Sequence, residues 1–269
     1  LREVVGDVRQ IHADVTNQGA LFQVASQFNL LEMTGPSVTP ERGVGIYERD
    51  GTQGPACAIS CGAGTIYRNY FVPLGNQNGQ SAEHQIDCSA DLGELLGNRN
   101  SRLWKMQNGY LLPGDAGLEQ ITAKLQLADE AELDRYRTSL RIGLQWNTAV
   151  TLPGVNHRVS QAYCSALPVA YGRQPSEQWT DFARLILEAA YEATICAAIL
   201  NSTNSGSEKV FLTLLGGGVF GNEDAWILDA IDRACAKYRD FSLDVAIVSH
   251  RSPNEAVAEL ISRRESMSD

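Results

Sequence analysis

The alternation of hydrophobic and polar positions is clearest in the last third of the chain. Residues 176–200 carry apolar side chains at helical spacing, and residues 209–215 and 244–249 are short apolar runs typical of buried strands. Helices are predicted after these strands, at about 223–239 and 254–264. Near-continuous apolar strands that alternate with amphipathic helices predict an α/β fold whose sheet is covered by helices on both faces.

The first two thirds of the chain give weaker patterns. Short apolar runs and alternating positions indicate strands, and a run of small residues behind a proline indicates the start of a helix. The predicted elements are strands at 3–12, 21–26 and 140–150, and helices at 56–65 and 115–136.

The middle of the chain has a different character. Residues 70–109 are rich in Gly, Asn and Gln, which predicts hairpins and loops. With the helical segment that follows, they make 70–139 an insertion within a single domain spanning residues 1–269. The length of 269 residues and a hydrophobic content of 43% are sufficient for a large core.

Charge and composition narrow the possible partners. A formal net charge of −10 does not favour nucleic acid binding through a basic patch, although backbone amides could still hold a small polyanion. No apolar run has the length of a membrane span, so we expect no membrane contact. Six cysteines without a CxxC pair indicate reduced thiols and a cytoplasmic location, and we expect neither a metal ion nor a cofactor.

The first candidate for a functional site is the stretch LTLLGGGVFGN at 212–222, where glycines lie between a predicted strand and a predicted helix. Loops at the carboxyl ends of parallel strands are where open α/β sheets bind ligands. Backbone N–H groups of glycines there, together with the amino end of the next helix, can donate hydrogen bonds to phosphate oxygens. The alternative is that the glycines only permit a tight turn. Neither a Walker loop nor a dinucleotide fingerprint fits the spacing.

This arrangement resembles the second half of a macrodomain, a family that binds ADP-ribose. The resemblance implies a three-layer α/β/α fold with a mixed sheet and an inserted subregion. In the family this loop wraps the diphosphate and its aromatic residue lies against the distal ribose. The ligand-binding residues implied here are Gly216, Gly217, Gly218, Val219, Phe220, Gly221 and Asn222.

The first half can be matched to the same family, which carries Gly-Asp-Ile/Val-Thr before a strand that ends in Asn-Ala-Ala-Asn. Here Asp14-Val15-Thr16 precedes a strand that ends at Asn29. The resemblance implies that Asp14 and Val15 meet the adenine and that Asn29 orders the ribose or a hydrolytic water. Gly54 and Cys57 stand where the family has its first glycine loop.

Each of these residues also has a simpler interpretation. Asp14 could be a turn or cap acid, and Asn29 a loop amide that satisfies local backbone. Cys57 could be a small core residue, or a nucleophile at a helix amino end.

The sequence is therefore compatible with three functions. The resemblance favours a hydrolase that binds ADP-ribose, or an ADP-ribosylated macromolecule, and cleaves the ADP-ribosyl linkage. The alternative is a non-catalytic reader of ADP-ribosylation that binds the nucleotide without turnover, and the sequence leaves open whether the chain is an enzyme. A third possibility is an interaction protein whose glycine loop holds no ligand.

Overall fold

A computed structural model describes residues 1–266, and nineteen α-helices and β-strands follow one another in that part of the chain, besides short 3-10 helices. In order they are β1 (Arg2–Val5), α1 (Val8–Ala13), β2 (Leu21–Ala25), α2 (Gln53–Ser60), α3 (Gly62–Tyr70), β3 (Pro73–Leu74), β4 (Gln77–Asn78), α4 (Ala90–Leu96), β5 (Trp104–Gln107), β6 (Tyr110–Pro113), α5 (Asp115–Leu127), α6 (Glu130–Ser139), β7 (Gly143–Ala149), β8 (Arg158–Cys164), α7 (Ser176–Ser205), β9 (Lys209–Leu212), α8 (Asp224–Lys237), β10 (Asp244–Ser249) and α9 (Glu255–Ser266).

Six of these strands form the central sheet, in the order β1-β10-β9-β2-β8-β7. Neighbouring strands from β1 to β8 run parallel, and only β7 at the edge runs antiparallel to its neighbour. The prediction of an α/β fold is confirmed, and its central sheet is mixed and mostly parallel. All five parallel strands therefore direct their carboxyl ends to the same edge of the sheet.

Strand β2 illustrates how helices cover both faces of this sheet. The Phe22 ring stacks on His12 of α1, with 3.7 Å between ring centroids. The Gln23 amide donates a hydrogen bond to the hydroxyl of Thr194 in α7, at 3.0 Å. Consecutive strand residues point to opposite faces, so α1 and α7 lie on opposite sides of the sheet.

The beginning of the chain differs from the sequence prediction. The predicted strand over residues 3–12 ends at Val5, and α1 follows from Val8. Asp7 accounts for the change, because its carboxylate accepts a hydrogen bond from the Arg9 amide at 2.8 Å and so caps the helix. The prediction of one strand was wrong over its second half.

Two predicted helices are each divided in the structure. The small-residue segment forms α2 and α3, which meet at Cys61, where φ is −127° and ψ is 57°. The helix predicted over 115–136 is α5 followed by α6, because the Asp129 carboxylate accepts a hydrogen bond from the Glu132 amide and starts a new helix.

The segment over residues 70–139 contains two hairpins, β3-β4 and β5-β6, and the helices α4, α5 and α6. None of its strands joins the central sheet, since all six strands of that sheet lie outside 70–139 in the described chain. The segment packs on the loop after β2, where the Phe28 amide donates to the Gly109 carbonyl at 2.9 Å.

Within residues 1–266, no helix combines the length and the hydrophobicity that crossing a lipid bilayer would require.

Candidate ligand-binding cleft

A cleft of about 1000 Å³ opens along the carboxyl edge of the central sheet. The loops that follow all five parallel strands line it: β1, β10, β9, β2 and β8. Five adjacent strands span four inter-strand spacings, or about 19 Å at about 4.8 Å each. The amino end of α2 completes the wall beside β2. The cleft therefore suits an elongated ligand with two distinct ends.

The glycine loop after β9 is held in shape from behind. Gly216 has a φ of +76°, and a Cβ atom there would press on the Ala166 side chain. The Asn222 side chain donates to the carbonyl oxygens of Leu167, at 2.8 Å, and of Gly216, at 3.2 Å. Gly221, with a φ of +72°, lies against Ala170. These contacts fix the backbone of the loop, which needs left-handed glycine conformations to follow this path.

Three residues at the front of the glycine loop line the cleft and have backbone donors that the fold does not use. The backbone amides of Gly218, Val219 and Phe220 donate to no acceptor within residues 1–266, and all three residues line the cleft. A Cβ atom on Gly218 would meet nothing within 4 Å. Successive free amides in a tight loop form a concave site that suits an anion.

A second set of free amides lies at the amino end of α2. The amides of Gln53 and Gly54 donate to no acceptor in the described chain, and both residues line the cleft. Gly54 packs so closely on β2 that a Cβ atom there would overlap the carbonyl oxygen of Ala25. The partial positive charge of the helix amino end adds to the attraction for an anion.

Three aromatic rings form a wall at the β2 end of the cleft. Phe220 lies 5.5 Å from Tyr110 and 5.8 Å from Tyr171 between ring centroids. Tyr110 belongs to β6, so the segment over residues 70–139 contributes directly to the cleft. Its hydroxyl donates to the Met33 carbonyl at 2.7 Å, which fixes the ring. Such a wall offers an aromatic, mostly apolar surface to a sugar or a base.

Glu32 is a buried carboxyl in the wall of this cleft. Its side chain is 2% exposed, and neither carboxyl oxygen has a hydrogen-bond partner in the described part of the chain. The nearest cation is the Arg68 guanidinium, at 3.8 Å. Burial raises the pKa of Glu32 to about 7, against the opposing charge of Arg68.

Arg68 is itself fixed by several contacts. Its guanidinium donates to the Leu30 carbonyl and to the Gln145 side chain, and it lies 3.5 Å from the centroid of the Tyr163 ring. It is therefore a rigid support beside Glu32 and does not compensate the carboxyl fully, because 3.8 Å is beyond hydrogen-bond distance.

The β1 end of the cleft has its own unpaired polar atoms. Arg9 Nε and Ser249 Oγ are buried and have no partner among residues 1–266, and both residues line the cleft. Asp7 lies beside them at the start of α1. Because buried polar atoms are usually hydrogen-bonded, unpaired atoms at both ends indicate that a ligand or ordered water meets them.

The structure gathers part of the predicted site in this cleft. Five of the predicted residues line it, namely Gly54, Gly216, Gly218, Val219 and Phe220. Three others, namely Gly217, Gly221 and Asn222, belong to the glycine loop but lie on its side away from the cleft. They are not among the lining residues, and they shape the loop from that position.

Asp14 and Val15 are not brought to the cleft, which corrects the placement inferred from the sequence. Asp14 caps a short 3-10 helix before β2, and hydrogen bonds from Thr16 hold the pKa of its carboxyl below the usual range. The Thr16 carbonyl accepts a hydrogen bond from Lys209, at the amino end of β9. The pair therefore lies at the opposite edge of the sheet from the cleft.

Asn29 and Cys57 are also absent from the cleft lining. The fully buried Asn29 donates to the Gln85 side chain at 2.8 Å and accepts from the Leu31 amide. Cys57 is fully buried in α2, and burial raises the pKa of its thiol well above its usual range. The simpler interpretations, a structural amide and a core cysteine, fit these positions.

Sequence reasoning missed several residues of the cleft. Gly6, Asp7 and Val8 line the cleft, and the strand predicted over 3–12 did not indicate them. No local pattern indicated Glu32 or Tyr110, which tertiary packing brings to the cleft. In comparisons with known proteins, no family model and no curated protein matches this sequence.

Proposed function

We propose that the cleft binds ADP-ribose or an ADP-ribose derivative, with the diphosphate on the amides of the glycine loop and of the α2 amino end. The observation that carries the proposal is the set of free amides at Gly218, Val219 and Phe220, which line the same cleft as Gln53 and Gly54. Amides from two directions suit a diphosphate, which has acceptors on both phosphate groups.

The ends of the cleft support an asymmetric ligand. The aromatic wall and Glu32 lie at the β2 end, whereas Asp7, Arg9 and Ser249 lie at the β1 end. A nucleotide diphosphate sugar has a base at one end and a sugar at the other, and the central glycine loop lies between the two ends. The resemblance of this loop to that of macrodomains favours ADP-ribose among such ligands.

Calorimetry with ADP-ribose tests the binding proposal, using Gly218→Glu as the disruptive variant. The new side chain enters open space, so the fold is preserved, and its carboxylate stands where the diphosphate would bind. Repulsion and steric blocking should reduce the affinity at least about 100-fold, on the scale of a lost charged contact.

Gly114→Glu is the matched control, because Gly114 is also exposed with nothing within 4 Å of its Cβ position and lies outside the cleft. It adds the same charge and should bind as the wild type does. Equal binding by Gly218→Glu and Gly114→Glu would show that the glycine loop is not the site, and absence of heat with the wild type would reject the proposal.

Hydrolysis of an ADP-ribosyl linkage is the second candidate function. It is favoured by Glu32, because a carboxyl whose pKa is about 7 can both donate and accept a proton at neutral pH. Incubation with an ADP-ribosylated protein distinguishes hydrolysis from binding without turnover. Release of free ADP-ribose supports hydrolysis, whereas tight binding without release supports a non-catalytic reader.

A further inference from the structure

Glu32 is a buried carboxyl that the fold compensates only in part. Neither of its oxygens makes a hydrogen bond of normal geometry within residues 1–266, and the Arg68 guanidinium at 3.8 Å and the Tyr47 hydroxyl offset only part of the cost of burial. The Glu32 Cγ atom lies 3.2 Å from where a Cβ of Gly54 would stand, at the first turn of α2. Leaving such acceptors unpaired is unfavourable, so the position calls for donors that arrive from the cleft.

The chemistry of the carboxyl limits what those donors can be. A phosphate offers no donors at neutral pH and would repel the carboxylate. Hydroxyl and amine groups do donate, and two oxygens on one carboxyl match two neighbouring hydroxyls. Glu32 is therefore suited to a neutral part of the ligand rather than to its diphosphate.

The surroundings of Glu32 favour hydroxyls on a sugar. Glu32 immediately precedes Met33, whose carbonyl accepts the Tyr110 hydroxyl, and the Tyr110 ring adjoins Phe220. Tyr47 is on the other side, with its hydroxyl accepting a hydrogen bond from the Glu32 amide at 3.1 Å. An apolar ring surface beside a carboxyl matches a sugar, which presents a C–H face and a hydroxyl edge.

We infer that Glu32 is the specificity-determining residue for the terminal sugar of the ligand, accepting hydrogen bonds from two adjacent hydroxyls while the aromatic wall covers the sugar face. This inference rests on the proposed function. It adds that the β2 end of the cleft selects the terminal sugar of the ligand. The diphosphate is bound independently of Glu32, by the free amides of the two loops.

The test compares ADP-ribose with ADP, which lacks the terminal sugar, by calorimetry on the wild type and on Glu32→Gln. The wild type should bind ADP-ribose more tightly than ADP. The variant keeps the shape of the side chain but loses one acceptor and the charge. Its affinity for ADP-ribose should fall about 10- to 100-fold, as expected for charge-assisted hydrogen bonds, and its affinity for ADP should be unchanged.

Glu259→Gln, which removes the same charge from the exposed face of α9, should change neither affinity. Thermal unfolding checks that each variant is folded, and Glu32→Asp, which retains both acceptors, should recover part of the preference for ADP-ribose.

The possible failures are distinguishable. Equal losses for ADP and ADP-ribose would mean that Glu32 holds the base or supports the fold, which would overturn this inference alone. Unchanged affinity for both ligands would also overturn it. If the wild type bound neither ligand, the proposed function would fail, and the assignment of the sugar would fail with it.

Discussion

Glu32 is a carboxyl whose ionisation opposes folding. The ordinary pKa of 4.5 rises to about 7 in the folded chain, mainly because burial disfavours the charged form. Between these values the folded chain retains a proton that the unfolded chain has lost. The stabilising contribution of this group is complete below about pH 4.5 and is lost as the pH rises through 7.

This proton linkage gives a prediction for stability. The free energy of unfolding of the wild type, relative to that of Glu32→Gln, should fall by about 3 kcal/mol between pH 4 and pH 8, because the glutamine does not ionise. Urea unfolding of both proteins at each pH measures the difference. Glu259→Gln should follow the wild type. Parallel pH profiles for the wild type and Glu32→Gln would mean that the buried carboxyl does not titrate in this range.

At the scale of elements, the contact between α2 and β2 places the helix amino end in the cleft. The Gln53 side chain stabilises this contact, because it accepts a hydrogen bond from the Ala25 amide and donates one to the Gln23 carbonyl, each at 2.9 Å. The side chain thus pairs with the strand backbone, and Gly54 allows the helix to approach that closely.

Gly54→Ala tests this contact. The added methyl group would overlap the Ala25 carbonyl, so α2 must move away and lose the hydrogen bonds of Gln53. We expect a loss of about 3 kcal/mol in the free energy of unfolding, as for an overpacked core position, together with weaker ADP-ribose binding. Urea unfolding measures the first effect. Gly45→Ala is the control, because its new methyl group meets nothing within 4 Å. Equal stability of the two variants would contradict the close approach.

The elements that the sequence predicted well are those with long or uniform local patterns. Helix α7 spans thirty residues, which is long enough to show the helical period, and the strands β9 and β10 are short and mostly apolar runs of a length typical of buried strands. Strand β1 and helix α1 have four and six residues, too short for a period of two to be separated from one of 3.6. There the cap at Asp7 was the informative signal.

The same distinction applies to the site. The glycine loop is one contiguous stretch, and the sequence alone identified it as a candidate phosphate site. Glu32 and Tyr110 are 78 positions apart in sequence, and only the docking of the β5-β6 hairpin on the loop after β2 brings them together. Asn29 was placed by its spacing in the family motif, but the chain turns at Leu30, where φ is 64°, and the Asn29 side chain bonds within this turn.

At the scale of the whole molecule, the carboxyl ends of five parallel strands and the segment over residues 70–139 form a single elongated cleft in a chain with a net charge of −10. An anion approaching such a chain is attracted by local dipoles rather than by an overall positive field. Free amides near the middle of the cleft, with different polar groups at its two ends, would then determine both where the anion binds and in which direction the ligand lies.

A crystal structure of the chain with ADP-ribose tests this account most directly. It should place the diphosphate oxygens within hydrogen-bond distance of the Gly218, Val219 and Phe220 amides, with the terminal ribose between Phe220 and Glu32. A ligand bound elsewhere on the chain, or a diphosphate that makes no contact with those amides, would contradict it.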